Sequence, residues 1–207
     1  MSDITLNFIN RSNDTNNSSV VIFQKNQAAD FNELAVAWTV IQNCGFGDNH
    51  PFKYPLGITV GASDSWGNFT PQQPAEPGMA FEMVKSNSGD VLQLSRDNAT
   101  SPLEYEIKNA LPQGGMNAHC YRDNRVCASK TGLAPGQKAV FSFEPRIWIG
   151  VVSQVVQGDV LHAAIVSDIN TEINLLGISS ADIVMTGGGS GPDALPFQFT
   201  LENINAI

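Results

Sequence analysis

MNAHCYRDNRVCASK, residues 116–130, sets two short runs of strand-type residues on either side of Arg122-Asp123-Asn124-Arg125. Asp and Asn tolerate the left-handed backbone that a tight turn demands, so the stretch reads as a β-hairpin that reverses at Asp123-Asn124. An even loop places Cys120 opposite Cys127 and Tyr121 opposite Val126. Directly opposed strand residues have Cα atoms about 4.5–5.5 Å apart, within the span of a disulfide. The expectation is therefore a cross-strand thiol pair, Cys120 and Cys127, reduced or bridged, with His119 on the far face and two arginines flanking an exposed turn.

The same grammar runs through the chain. Short runs rich in Val, Ile, Phe and Trp are interrupted by Gly, Pro, Asn and Asp about every eight to twelve residues, the spacing of a sandwich and not of βαβ units. Candidate strands lie at 4–10, 19–25, 34–42, 57–62, 79–85, 91–95 and 103–109, then, after that hairpin, at 138–144, 146–156, 160–168, 171–176, 181–185 and 197–201. Gly158-Asp159 suits a type II′ turn, which predicts a long core hairpin with Val155 opposite His162. Residues 45–55 and 68–78 read as loops. Asp30-Phe-Asn-Glu33 looks like a helix N-cap, but Val36, Trp38 and Val40 alternate, which favours a strand over a helix across 31–43. These features predict an all-β, single-domain antiparallel β-sandwich of two packed sheets over 1–207, with little helix.

Composition bounds the function. The chain has 207 residues, 42% hydrophobic and 15% charged, which is too apolar for disorder and long enough for a sizeable core. A formal net charge of −9 excludes nucleic acid as a partner, because a phosphate backbone requires a basic patch. Five basic residues (Arg122, Arg125, Lys130, Lys138, Arg146) cluster in 122–146, whereas 147–207 has no Lys or Arg. Opposite patches of that kind raise the prospect of a homo-oligomer joined head to tail. No stretch is apolar enough for a transmembrane segment or a leader, and three cysteines suit a reducing compartment, so the expected location is the cytoplasm, or outside after export without a classical signal peptide.

Few motifs carry chemistry. The glycine-rich TGGGSGPD (186–193) leads into a strand and has no lysine after it, so it reads as a hairpin loop and not a phosphate cradle. There is no HExxH and no GxSxG. Asp168, Asn170 and Glu172 alternate, which on an extended chain turns three oxygens to one side and makes them the best metal candidates. Glu104 and Glu106 look like solvent residues. Aromatics stand among turn residues in two places: Trp66 and Phe69 beside Asp64 and Asn68, and Phe46 and Tyr54 beside His50. A ring supplies apolar area and its neighbours supply hydrogen bonds, which is the chemistry of carbohydrate or lipid-headgroup recognition. The expectation is a binding or assembly protein without cofactor, not an enzyme. A membrane-inserting toxin and a metal-dependent or cofactor-free enzyme are the alternatives.

Overall fold

The computed structural model describes residues 3–28, 34–169 and 171–207. It is an all-β, sandwich-like fold of four sheets, held in two compact units between which the chain passes repeatedly. The first unit takes Met1–Gln24, Ala35–Leu56 and Pro145–Ile207; the second takes Lys25–Leu34 and Gly57–Glu144.

In the first unit one sheet runs β17-β16-β1-β5, from β1 (Ile4–Asn10), β5 (Asn49–Tyr54), β16 (Ile178–Gly188) and β17 (Leu195–Ala206). The other runs β15-β14-β2-β4, from β2 (Ser19–Phe23), β4 (Thr39–Ile41), β14 (Arg146–Val152) and β15 (Thr171–Asn174). β1 shows the period of two that a half-buried strand requires: Ile4, Leu6 and Phe8 are buried while Thr5 is exposed. Trp38 meets Phe52 and Tyr54 edge-on at 6.3 and 5.8 Å, and the Tyr54 hydroxyl accepts a hydrogen bond from Gln24 Nε2 at 2.6 Å. Burial of side chains this large contributes roughly 1.5–3 kcal/mol each.

In the second unit one sheet runs β13-β10-β8-β9, from β8 (Ala80–Ser86), β9 (Gly89–Leu94), β10 (Tyr105–Asn109) and β13 (Lys138–Phe141). The other runs β3-β12-β11-β6-β7, from β6 (Ile58–Asp64), β7 (Gln73–Ala75), β11 (Met116–Arg122) and β12 (Arg125–Leu133), with β3 (Leu34–Ala35) at the residues where the chain passes from this unit to the first. Pairings are antiparallel throughout the described ladders except β1 with β16 and β8 with β10, which are parallel.

The β11-β12 hairpin forms as its sequence predicts near the turn and departs from that expectation farther along. Asp123 and Asn124 have φ of 51° and 57°, the left-handed pair of a two-residue turn, and Tyr121 opposes Val126. The register then slips: Cys120 opposes Ala128, with Cys127 as the extra residue of a β-bulge. The two residues stay close, since Cys127 Sγ donates to the Cys120 backbone carbonyl at 3.4 Å, and neither is in a disulfide. Arg122, expected at an exposed turn, is buried and reaches the Gly57 carbonyl.

Other expectations are corrected. Gly158 turns the chain with φ 93°, but the residues beyond it do not return along β14. Val160 bridges Val36 instead, the Leu161 amide donates to Ala35, and residues Ala163–Asp168 form a short helix, α1. Val155 and Leu161 both enter an apolar cluster with Phe23, Ala37, Trp148 and Ile169, so packing and not a ladder accounts for the apolar residues on either side of Gly158. Residues 34–41 are extended, in two short strands; the expected cap at 30–33 lies outside the described residues. Strands β5 and β7 replace two expected loops. Both are edge strands, where Pro51 and Pro74 are tolerated because no ladder partner needs their missing N–H.

Candidate functional site

Asp64, Trp66, Asn68 and Phe69, all singled out in the sequence, stand together on the loop that leaves β6. The Asp64 carboxylate accepts from the amides of Trp66 (2.8 Å) and Asn68 (2.9 Å) and from Asn68 Nδ2 (2.8 Å), while Gly67 supplies the left-handed φ of 85° that closes the turn. Asn68 and these amides hold the Asp64 carboxyl below the usual carboxylate range. The result is a locked turn with Trp66 at its tip, 87% exposed, and Phe69, 67% exposed, at its base.

The outer face of the β6-β11-β12 sheet supports that loop. Alternation along β11 turns Asn117, His119 and Tyr121 to this face, opposite the core-facing Ala118 and Cys120. The His119 ring stacks beneath Phe69, with centroids 5.7 Å apart and planes at 29°. Asn117 Nδ2 donates to Ser63 Oγ at 3.1 Å, and Ser63 Oγ lies 3.0 Å from His119 Nε2. On the other side of the ring His119 Nδ1 lies 2.6 Å from Ser129 Oγ, so a neutral ring donates to one serine and accepts from the other. Burial pushes the His119 pKa down, consistent with a neutral ring. Serine, histidine and serine follow the order of a nucleophile, a base and an orienting group, but all three are buried, and the arrangement serves to fix the ring under Phe69. Gly61 belongs to the same layer: a Cβ there would lie 3.1 Å from Tyr121.

Beside Phe69 a cleft of about 290 Å3 opens between the loop and the β8-β9 hairpin. Asp64, Asn68, Gln73 and Asp90 contribute its polar groups and Met83 and Leu92 its apolar ones.

No known family matches the chain, and no curated protein and no solved structure shows significant similarity to it. The site therefore rests on its own geometry.

The remaining candidates separate from this loop. Phe46, His50 and Tyr54 belong to the first unit. Phe46 is 75% exposed and His50 borders a polar cleft with Cys44 and Asp48, but Tyr54 is fully buried and its ring offers no surface. Asp168 ends α1 rather than sitting in a strand, Glu172 is engaged by Arg146, and Asn170 lies outside the described residues. Among the described residues no three of His, Cys, Asp and Glu converge on a metal site, and no helix is long and apolar enough to cross a membrane. Glu106, expected in solvent, is buried. Burial raises its pKa, but Lys138 Nζ at 2.7 Å and the Thr100 amide at 2.8 Å outweigh that and hold it below the usual range. The basic cluster of 122–146 is engaged in the same way: Arg122 is buried, and Lys138 and Arg146 are paired with Glu106 and Glu172. Sequence reasoning missed Ser63, Asn117 and Ser129. Alternation along β11 was the available signal for Asn117 and His119, whereas the two serines required knowing which strands flank it.

Proposed function

We propose that the protein is a non-catalytic carbohydrate-binding protein whose stacking platform is Trp66 and Phe69. The observation that carries this reading is Phe69: its ring lies on His119, is 67% exposed, and borders the polar cleft. A sugar ring presents axial C–H groups to an aromatic face and hydroxyls around its rim, and a cleft lined by Asn68, Asp64, Asp90 and Gln73 beside Phe69 supports that reading by its polar composition. A ring anchored from behind also loses little freedom on binding, which favours affinity.

The test is a glycan-array screen followed by calorimetry. The expected result is retention of one glycan class, with Trp66→Ala and Phe69→Ala each weakening binding about tenfold or more, the change expected for loss of roughly 1.4 kcal/mol. Retention of no glycan, or variants that bind like the parent, overturns the proposal. Binding to phosphatidylcholine liposomes in place of glycans also overturns it, and dye release from them would favour membrane insertion.

A further inference from the structure

Natural sheets protect their edges with short strands, charges, prolines or bulges, because an open edge offers unpaired N–H and C=O groups to another chain. Among the described strands, seven of the eight sheet edges are strands of two to six residues, most with such a device. β3 and β4 have two and three residues, β7 has three with Pro74, and β13 and β15 have four each with Lys138 and Glu172. β5 contains Pro51 and Lys53, and β9 contains Asp90. β17 differs: it has 12 residues and one charge, Glu202, whose carboxylate is held by Arg11 at 3.0 Å. Pro196 near its start and Asn203 with φ 49° interrupt the ends, and between them Gln198–Glu202 keeps an unbroken register against β16.

The inner face of this edge is unfinished as well. Phe197 and Phe199 are half-buried and line a cleft of about 410 Å3 with Ile149, Ile165 and Ile169, on the side where β17 is the last strand.

We propose that β17 is the interface of a homodimer, in which two copies pair their β17 strands antiparallel about a two-fold axis and join their sheets into one of eight strands. An axis normal to the sheet keeps each residue on its own face, so odd positions meet odd and even meet even. Centred on Phe199, the pairing sets Phe199 against its own copy, Phe197 against Leu201 and Gln198 against Thr200. Apolar residues then oppose apolar ones over the cleft, and polar residues oppose polar ones on the outer face. Charge is compatible with a second copy: Glu202 falls opposite Pro196, so no like charges are opposed across the seam. The dimer is independent of glycan binding, which belongs to the other unit.

Sedimentation equilibrium of the intact protein from 1 to 300 μM tests it, with Gln198→Lys/Thr200→Lys as the variant. Both positions are exposed, so the variant is expected to keep its fold, checked by circular dichroism, while placing lysine opposite lysine twice. The expected result is a concentration-dependent dimer in the parent that is weakened at least tenfold in the variant. A parent that stays monomeric throughout, or a variant that dimerises as tightly as the parent, overturns the proposal.

Discussion

His119 is a buried neutral histidine, and that makes it a titration point. Its pKa is lowered by burial, so the folded state resists the proton that the unfolded chain accepts near pH 6.5. The stability it contributes is therefore complete above that value and is lost as pH falls from there through the lowered folded pKa. His119→Gln removes the titrating group, so the decline in thermal midpoint between pH 7 and pH 5 is expected to flatten in the variant. An unchanged slope would mean that His119 is not the group responsible. Glu106, a carboxylate with a lowered pKa, acts in a different window: its contribution is present above about pH 4.3 and lost as pH falls through its folded value.

At the scale of the element, the β16-β17 hairpin that presents the proposed interface depends on its glycine-rich connection. Gly187 has φ 86°, and a Cβ placed there would collide with the Pro196 carbonyl oxygen. Neither the left-handed backbone nor the approach of two main chains admits a side chain. Gly187→Ala is expected to cost about 2–4 kcal/mol, read as a lower denaturant midpoint, since backbone atoms cannot rotate away as a side chain can. The same logic accounts for the Cys120-Cys127 hairpin. Its turn is decided locally by two residues that accept positive φ, whereas its bulge answers to strands beyond it, where β11 is held by β6 on its other side.

For the whole molecule, the consequence of the chain's path is that neither unit is continuous in sequence. The second unit is completed by residues 25–34, and there Asn26 Nδ2 donates to the Val140 carbonyl at 2.8 Å while its Oδ1 accepts from the Ser142 amide at 2.7 Å. Asn26→Ala strands both backbone groups and is expected to cost about 1–3 kcal/mol in the intact chain, measured by urea unfolding. A null effect would show that water replaces the amide there. Pairing β1 with β16 closes a loop of most of the chain, so folding is expected to be slow.

The sequence by itself determined the all-β class and the Asp123-Asn124 turn, and it marked Trp66, Phe69 and Phe46 as aromatics set among turn residues. These depend on local matters: period-two alternation, residues that accept positive φ, and aromatic side chains embedded among turn formers. Tertiary structure alone decided that Val160 meets Val36 and not β14, that Tyr54 is core, that Glu106 is buried and paired with Lys138, and that His119 lies beneath Phe69 between two serines. Each of those outcomes depends on which strands become neighbours. Strand order is set by competition among many pairings of similar local strength, and only burial in the assembled fold ranks them.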